Sequence, residues 1–499
     1  MHDFTSLILP TMPRRLRALL LGITGICAAA YFAVLAVHIS PYASSSDSSG
    51  YFNNARLLGR GEFFTPIRML PGYPATQFGY ATFQPLGFQI QPNAGRMAPT
   101  YPIGLPLHLL AASWIVGWDH AAIMVNLLAV FASGGFLWAI ARWLELPMVL
   151  ALVGVFWLLA CPLFLFSALQ PMSDLLAIAW SLAVLYTALQ ARDKWRWGVI
   201  CGFATGFAVL VRPTNALLLV PILLAVGFRW RTLVAITVAG LPAATVLTIY
   251  NWRVYGSPLA TGYGDISAIF GPTFMRHNLA HFAYWIPALL SQVIFLALLF
   301  PFFSQTRKRG HMALAGWFLT LTGFYTFYYH AGETWWYLRF ILPIFPALIL
   351  LVLSSISAAV RAMQLRRVSI ALVVTCILSA VAWQEITKTK QFEIMTLARG
   401  EKNYPDAAHW AQMNIPANSA IFCMQVSGAF FYYSDFLLVR WDQIEPAQHD
   451  RLLNVIAEQK RPIYAALFEF ETPQALEKIG GQWTKLTTIG QVTFWQRHL

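Results

Sequence analysis

Charged side chains are scarce in this 499-residue chain: Asp, Glu, Lys and Arg make up 11% of it, against 58% hydrophobic residues. Together with a mean hydropathy of +0.57, that shortage excludes an ordinary soluble globule and predicts a polytopic membrane protein. Cysteine is nearly as rare. Of the five, Cys27, Cys161, Cys201 and Cys376 fall in apolar runs and only Cys423 lies in the polar tail. A disulfide framework is excluded, and the thiols read as small buried hydrophobes. Lys and Arg (34) outnumber Asp and Glu (21), yet no single basic patch forms. The positive charges sit in short clusters between apolar spans, which is the pattern of positive-inside loops and not that of a nucleic-acid partner.

What is abundant is apolar sequence in lengths that suit a bilayer. The run from Leu16 to Ile39, preceded by Arg14 and Arg15 and including Arg17, is too long for a signal peptide and lacks a small-residue cleavage site. It predicts an uncleaved first span with the N-terminus in the cytoplasm. Further segments run from Ala121 to Ala141, Met148 to Phe166, Leu175 to Ala191, Gly198 to Val211, Ala216 to Phe228, Leu233 to Tyr250, Phe282 to Phe303, Ala313 to Tyr329, Tyr337 to Ser357 and Val368 to Trp383. That makes about eleven spans. Ile103 to Gly117 is short, follows Tyr101-Pro102 and carries Pro106 and His108, and so reads as an interfacial helix. With that choice Arg142, Arg192/Lys194/Arg196, Arg229/Arg231, Arg307/Lys308/Arg309 and Arg361/Arg366/Arg367 all fall on the cytoplasmic side. The loop 40–119, the Asn251 to Asn278 loop and the tail then face outward, and a loop as long as 40–119 is usually functional.

The expected architecture is therefore mainly α: a polytopic helical membrane bundle, residues 1–383, followed by an extracytoplasmic α/β domain, residues 384–499. The tail alternates short apolar runs such as Ile463 to Phe468 with helix-like stretches such as Thr472 to Ile479, as a small α/β domain does. It contains no metal-ligand spacing, Gly-rich phosphate loop or nucleophile elbow. A structural or acceptor-handling role suits it better than a second active site.

In so apolar a chain, ionisable groups at membrane depth are conspicuous, because each carries a penalty of roughly 2.5 kcal/mol or more. Asp47 lies in a serine-rich run directly after the first span; it can cap a short helix or serve as the base of a membrane-embedded enzyme. Asp174, at the outer end of a span, is either a first-turn carboxylate favoured by the helix dipole or part of the same site. Arg212, before the helix-breaking Pro213, snorkels to the interface or meets an anion. Glu333 and Arg339, in the stretch from His330 to Arg339, pair with one another or serve a ligand, while Trp335 and Trp336 read as an aromatic belt. The Gly- and Pro-punctuated loop from Asn251 to Gly264, which carries Tyr263, marks turns.

These residues also occur in a recognisable order: Asp47, Tyr51 and Ala55-Arg56; Tyr101 to Pro106; Pro171 to Asp174; Arg212-Pro213-Thr214; Asn251-Trp252 with Tyr255 to Pro258 and Thr261 to Gly264; and Tyr337 to Phe340 with Leu342-Pro343. The order resembles that of the GT-C superfamily of integral-membrane glycosyltransferases, in the branch of the protein O-mannosyltransferases and the lipid A aminoarabinose transferase. The resemblance covers about Leu16 to Trp383. It implies inverting transfer of a sugar from a polyprenyl-phosphate donor to an extracytoplasmic acceptor; the uncleaved first span, with no retention signal in the sequence, predicts the lipid bilayer of a cell's inner (plasma) membrane as its place. Asp47 matches the family's catalytic Asp and is assigned general base; Asp174 matches a second acidic position and becomes its helper. Arg212 and Arg339 are candidates for the donor phosphate, since a guanidinium fork matches its oxygens. Tyr51, Arg56, Arg96, Tyr101, Tyr263, His330 and Glu333 complete the expected substrate site.

Two departures from the family pattern narrow its implications. Ser48 stands where many members carry a second acid, and hard cations usually need more than one carboxylate. No metal ligand is therefore assigned and no cofactor is required, although a divalent cation stays open. Thr100-Tyr101 stands where the aminoarabinose branch tends to carry Lys, with Arg96 as a substitute, so the sugar is open too. A transporter would use the same charges but usually shows repeated halves, of which the sequence has none. A non-catalytic scaffold for envelope glycan assembly is the third reading.

Overall fold

The computed structural model describes residues 14–74, 77–91, 95–264, 266–302, 307–364 and 367–498. Arg366 of the expected cytoplasmic cluster lies outside them. In chain order, α1 (Arg14–His38) leads into α2 (Ser46–Gly59), then a small antiparallel sheet of β1 (Thr65–Pro66), β2 (Phe88–Gln91) and β3 (Arg96–Pro99) in the order β1-β3-β2. There follow α3 (Gly104–Val116), α4 (Trp118–Trp143), α5 (Met148–Ala160), α6 (Pro162–Ala168), α7 (Ser173–Ala191), α8 (Arg196–Val211), α9 (Leu219–Val226), α10 (Trp230–Tyr255), α11 (Met275–Leu290), α12 (Lys308–Tyr325), α13 (Phe345–Ala362) and α14 (Arg367–Gln391).

Among the described residues four helical stretches are long and apolar enough to cross a membrane: α4, α7, α10 and Leu342–Ala362, which contains α13. Counting two bent pairs as one span each makes six. The bends correct the straight spans expected from sequence. Between α5 and α6 the chain turns by 62° at Cys161, because Pro162 opens α6 and the residue before a proline is driven from the helical region. Between α11 and Gln292–Phe302 it turns by 103°, at Ser291 with φ 71. At 13 residues, α3 is about 20 Å long, short of the ~30 Å hydrocarbon core. The bundle packs around α7 and α13, which are buried on nearly all sides, whereas α10 keeps most of its surface open.

After α14 come α15 (Leu397–Asn414), β4 (Ala420–Cys423), α16 (Ser427–Tyr433), β5 (Leu437–Arg440), α17 (His449–Glu458), β6 (Ile463–Phe468), α18 (Thr472–Ile479), β7 (Trp483–Ile489) and β8 (Val492–Arg497). The five-stranded sheet runs β5-β4-β6-β8-β7, parallel through β5, β4 and β6 and antiparallel beyond. Strands β4, β5 and β6 are buried at every position, as parallel strands covered on both faces are.

One of the two faces is covered by the loop after α2. Ile67, Leu70, Phe78, Phe83, Phe88 and Met97 share a single apolar core with Phe422, Val439, Trp441 and Leu467. Arg68 fastens the same seam by donating to the carbonyls of Ser434 (2.6 Å) and Phe431 (3.1 Å). Phe422 is fully buried in the centre of the sheet. Phe422→Ala is expected to destabilise this layer by about 3–5 kcal/mol, read as a lower midpoint for proteolytic release of the tail while the helical bundle stays intact.

Candidate active site

Backbone breaks between helices bring the polar residues together. The chain leaves α1 through Ser45, whose φ of 34 is a strained value for a residue with a side chain, and α2 starts at once. Asp47 therefore falls in the first turn of α2, and the residue at the cap position is Ser45, without a side-chain cap bond. Asp47 is thus not a capping residue. Met172 is extended, and α7 begins after it with Asp174 in its first turn. Pro213 ends α8 at Arg212, which is also extended. Arg339 lies in the 3-10 segment Trp335–Phe340 that leads to α13.

These four side chains form two ion pairs. Arg339 Nη2 donates to Asp47 Oδ2 at 2.8 Å, and Arg212 Nη2 lies 2.7 Å from Asp174 Oδ1. The second contact is off-line for a hydrogen bond, leaving Asp174 Oδ1 buried without a donor, and Arg339 Nε is likewise buried without an acceptor among the described residues. Arg212 Nη1 reaches the Arg339 carbonyl at 3.3 Å, so the two pairs are neighbours. The alternative Glu333–Arg339 pair does not form. Glu333 instead meets His330 Nδ1 at 2.5 Å, three residues away, while Arg339 is drawn to a carboxylate 292 residues distant.

A cavity of about 340 Å³ lies over the two pairs. Its lining includes Asp47, Tyr51, Tyr101, Asp174, Arg212, Tyr263, His330 and Arg339, all expected from sequence. Tyr101 donates to Asp47 Oδ1 (2.6 Å) and contacts the Ser46 hydroxyl (2.8 Å); Tyr51 donates to Ser173 Oγ (2.9 Å). Arg56 and Arg96 do not line this cavity. Arg56 is nine residues after Asp47 on α2, about 180° around the helix, and its guanidinium lies on the Tyr432 ring. Tyr51, four residues after Asp47, returns to the Asp47 face. Arg96 is on the outward side of β3, next to buried Met97, and stacks on Phe64. Sequence reasoning missed Tyr325, Tyr328, Tyr337 and Phe340 as lining residues. Their signal was present as aromatic clustering around His330, which reads equally well as an interfacial belt.

Burial works against ionisation of Asp47, but the Arg339 charge, the hydrogen bonds from Tyr101 and Arg339 and the Arg212 charge outweigh it. The carboxyl is held below its usual range, so Asp47 is a carboxylate at neutral pH. Burial and the Asp47 charge push the Tyr101 phenol well above its usual value, so it stays a donor. Outside the cavity lining, in the tail, burial and then the Asp47 charge raise the Glu401 carboxyl to about 7. Among the described residues no group of three or more His, Cys, Asp or Glu is placed to hold a metal. A cation at Asp47 or Asp174 would have to displace a guanidinium.

Glycine sets the approach of Tyr263. A Cβ at Gly262 would overlap the Thr100 carbonyl, so the loop can close over Tyr101 only without a side chain there. Gly262→Ala is expected to push Tyr263 out of the cavity at a cost of about 1–3 kcal/mol, seen as weaker ligand binding in a protein that still purifies as a folded monodisperse species. Farther along α7, from Leu176 to Ala183, lies an apolar groove of about 380 Å³ lined by residues of α3, α4 and α7, among them Ile115, Leu128 and Leu176. Its polar groups are His108 and Trp180, and the Trp180 indole donates to His108 Nε2 at 3.2 Å.

This helical bundle with a covered α/β layer has the fold of the GT-C superfamily of integral-membrane glycosyltransferases, and the protein is an integral membrane protein. Residues 112–252, less than half of the chain, match the family model for dolichyl-phosphate-mannose-protein mannosyltransferases. The structure is similar to that of ArnT from Cupriavidus metallidurans bound to undecaprenyl phosphate, with a TM-score of 0.62 at 14% identity over 95% of this chain and 98% of that one. It is also similar to the arabinofuranosyltransferase AftD from Mycobacteria, with a TM-score of 0.51 at 13% identity over 97% of this chain and 40% of the other. No curated protein sequence is a significant match to the chain.

Proposed function

We propose that the protein transfers a sugar from a polyprenyl-phosphate donor to an acceptor on the extracytoplasmic face of the cell's inner membrane, with inversion at the anomeric carbon. The observation that carries this reading is the pair of carboxylate–guanidinium contacts under one cavity, with an apolar groove farther along α7. Donor phosphate takes the guanidinium of Arg339, aided by Arg212. Leaving Asp47 for the phosphate restores basicity to a carboxylate that the ion pair had suppressed. Asp47 then accepts the proton of the acceptor hydroxyl as its oxygen attacks the anomeric carbon. The bond from that carbon to the phosphate oxygen breaks, and polyprenyl phosphate departs with the electron pair, its charge met by the two arginines. Asp174 holds Arg212 in place. The polyprenyl chain lies in the groove between α3, α4 and α7, whose walls reach lipid-exposed Ile115 and Leu128. Undecaprenyl phosphate in the structure of ArnT makes a lipid phosphate of that class the natural first probe.

In this reading the membrane bundle makes about eleven crossings, with the N-terminus cytoplasmic and residues 384–499 extracytoplasmic. Proteoliposomes supplied with a mixture of polyprenyl-phosphate sugars test it by mass spectrometry. Appearance of free polyprenyl phosphate together with a glycosylated acceptor is the expected result. Sugar uptake without transfer would instead support a transporter, and neither would leave a scaffold.

A further inference from the structure

A second cavity lies on the far side of α2. It encloses about 560 Å³ between α2, β1, β2 and the end of α16, and Arg56, Arg60 and Arg68 all line it. Glu62 and Asp435 border it as well, but Asp435 is taken by Arg68 at 3.2 Å. Three guanidinia against two carboxylates leave a positive site.

Two of the three are fixed in advance. Arg56 lies 3.4 Å above the Tyr432 ring and donates to the Tyr432 carbonyl at 3.0 Å. Arg68 lies 4.0 Å above the Phe431 ring and is tied to the carbonyls of Phe431 and Ser434. Stacked guanidinia lose little side-chain freedom when an anion arrives. Arg60 is exposed, and its guanidinium has no acceptor among the described residues.

We infer that this groove binds the anionic part of a glycan acceptor, holding carboxylate or phosphate groups of a sugar chain whose end reaches Asp47. The acceptor role rests on the transferase reading above; the affinity for an acidic glycan does not. Arg56 lies nine residues of α2 from Asp47, about 14 Å along the axis and half a turn around it, so the groove cannot hold the leaving phosphate, and an acceptor that uses both sites is long enough to pass around α2. Its lining favours an acidic glycan over a lipid. Aliphatic side chains there reduce to Leu57 and Pro66, which offer no lane for an acyl chain, whereas guanidinia held in place on the Tyr432 and Phe431 rings suit the acid groups of a sugar chain.

The test uses the full chain in phosphatidylcholine nanodiscs and short oligogalacturonate as probe, with a neutral maltooligosaccharide of equal length as reference. The acidic oligomer is expected to bind and the neutral one not, and Arg60→Glu should weaken binding roughly tenfold or more. Arg253→Glu, an exposed charge at the end of α10, should leave it unchanged. Equal binding of the neutral oligomer, an unaffected Arg60→Glu, or loss of binding in Arg253→Glu as well overturns the proposal. So does displacement of the uronate by dioctanoyl phosphatidic acid or by polyglutamate at lower concentration, which assigns the groove to a lipid head group or an acidic peptide. Polyprenyl-phosphate binding, followed on the same samples, should be the same in Arg60→Glu as in the unaltered protein. Its absence from the unaltered protein would count against the transferase reading and leave the groove standing.

Discussion

Asp47→Asn abolishes sugar transfer, with an expected fall in kcat of roughly 10²–10⁴, while the protein inserts and folds as before. The amide keeps the size of the carboxylate and still accepts the Tyr101 hydrogen bond made at 2.6 Å in the native site. What it loses is the ability to take a proton. It also loses the negative charge that engages Arg339 at 2.8 Å, so the variant should bind polyprenyl phosphate at least as tightly as the parent. That combination separates a chemical role from a structural one, because a damaged fold lowers both. Turnover near the parental rate in Asp47→Asn would remove this residue from the mechanism.

The second large effect is expected at Arg339. In Arg339→Met the donor phosphate loses its fork, and kcat/KM should drop by about 10²–10³, as for removal of a charge-stabilising donor. The same change alters the pH dependence in a fixed direction. In the free enzyme the guanidinium holds the Asp47 carboxyl below its usual range, so the acid limb of the kcat/KM profile, which reports the free enzyme, lies below the ordinary carboxylate pKa of about 3.9. Without Arg339, burial is opposed chiefly by the Tyr101 hydrogen bond and the more distant Arg212 charge. The limb then moves to higher pH, and activity is lost on acidification at values where the parent is unaffected. An acid limb that stays in place in Arg339→Met would show that Asp47 is not the group that titrates.

Most of the cavity could be read from the chain because its charged residues sit where apolar helices stop. Asp47, Asp174, Arg212 and Arg339 each flank a break that serine, proline or an aromatic cluster makes visible, and a charge at such a place in a sequence this apolar has few structural uses. How the four pair was not legible. Glu333 is six residues from Arg339 and Asp47 is 292 away, and only the packing of α2 against the segment before α13 decides between them. Helix phase is legible in the sequence, since counting nine residues along α2 puts Arg56 opposite Asp47. The bend at Cys161 had its proline in plain view. The one at Ser291 had a weaker local signal, Pro287 inside α11 four residues earlier, with no proline directly after it.

The shared core between the loop after α2 and the tail sheet has a consequence for the order of synthesis. Arg68 and its acceptor at Ser434 are 366 residues apart, so Phe78, Phe83 and Met97 must wait for nearly all of the bundle to be made before their partners exist. Contacts at such separation form slowly, and the apolar surface meant for them stays open meanwhile. A chain cut short before β4 leaves that face permanently bare and becomes a substrate for protein quality control, even with every membrane helix in place.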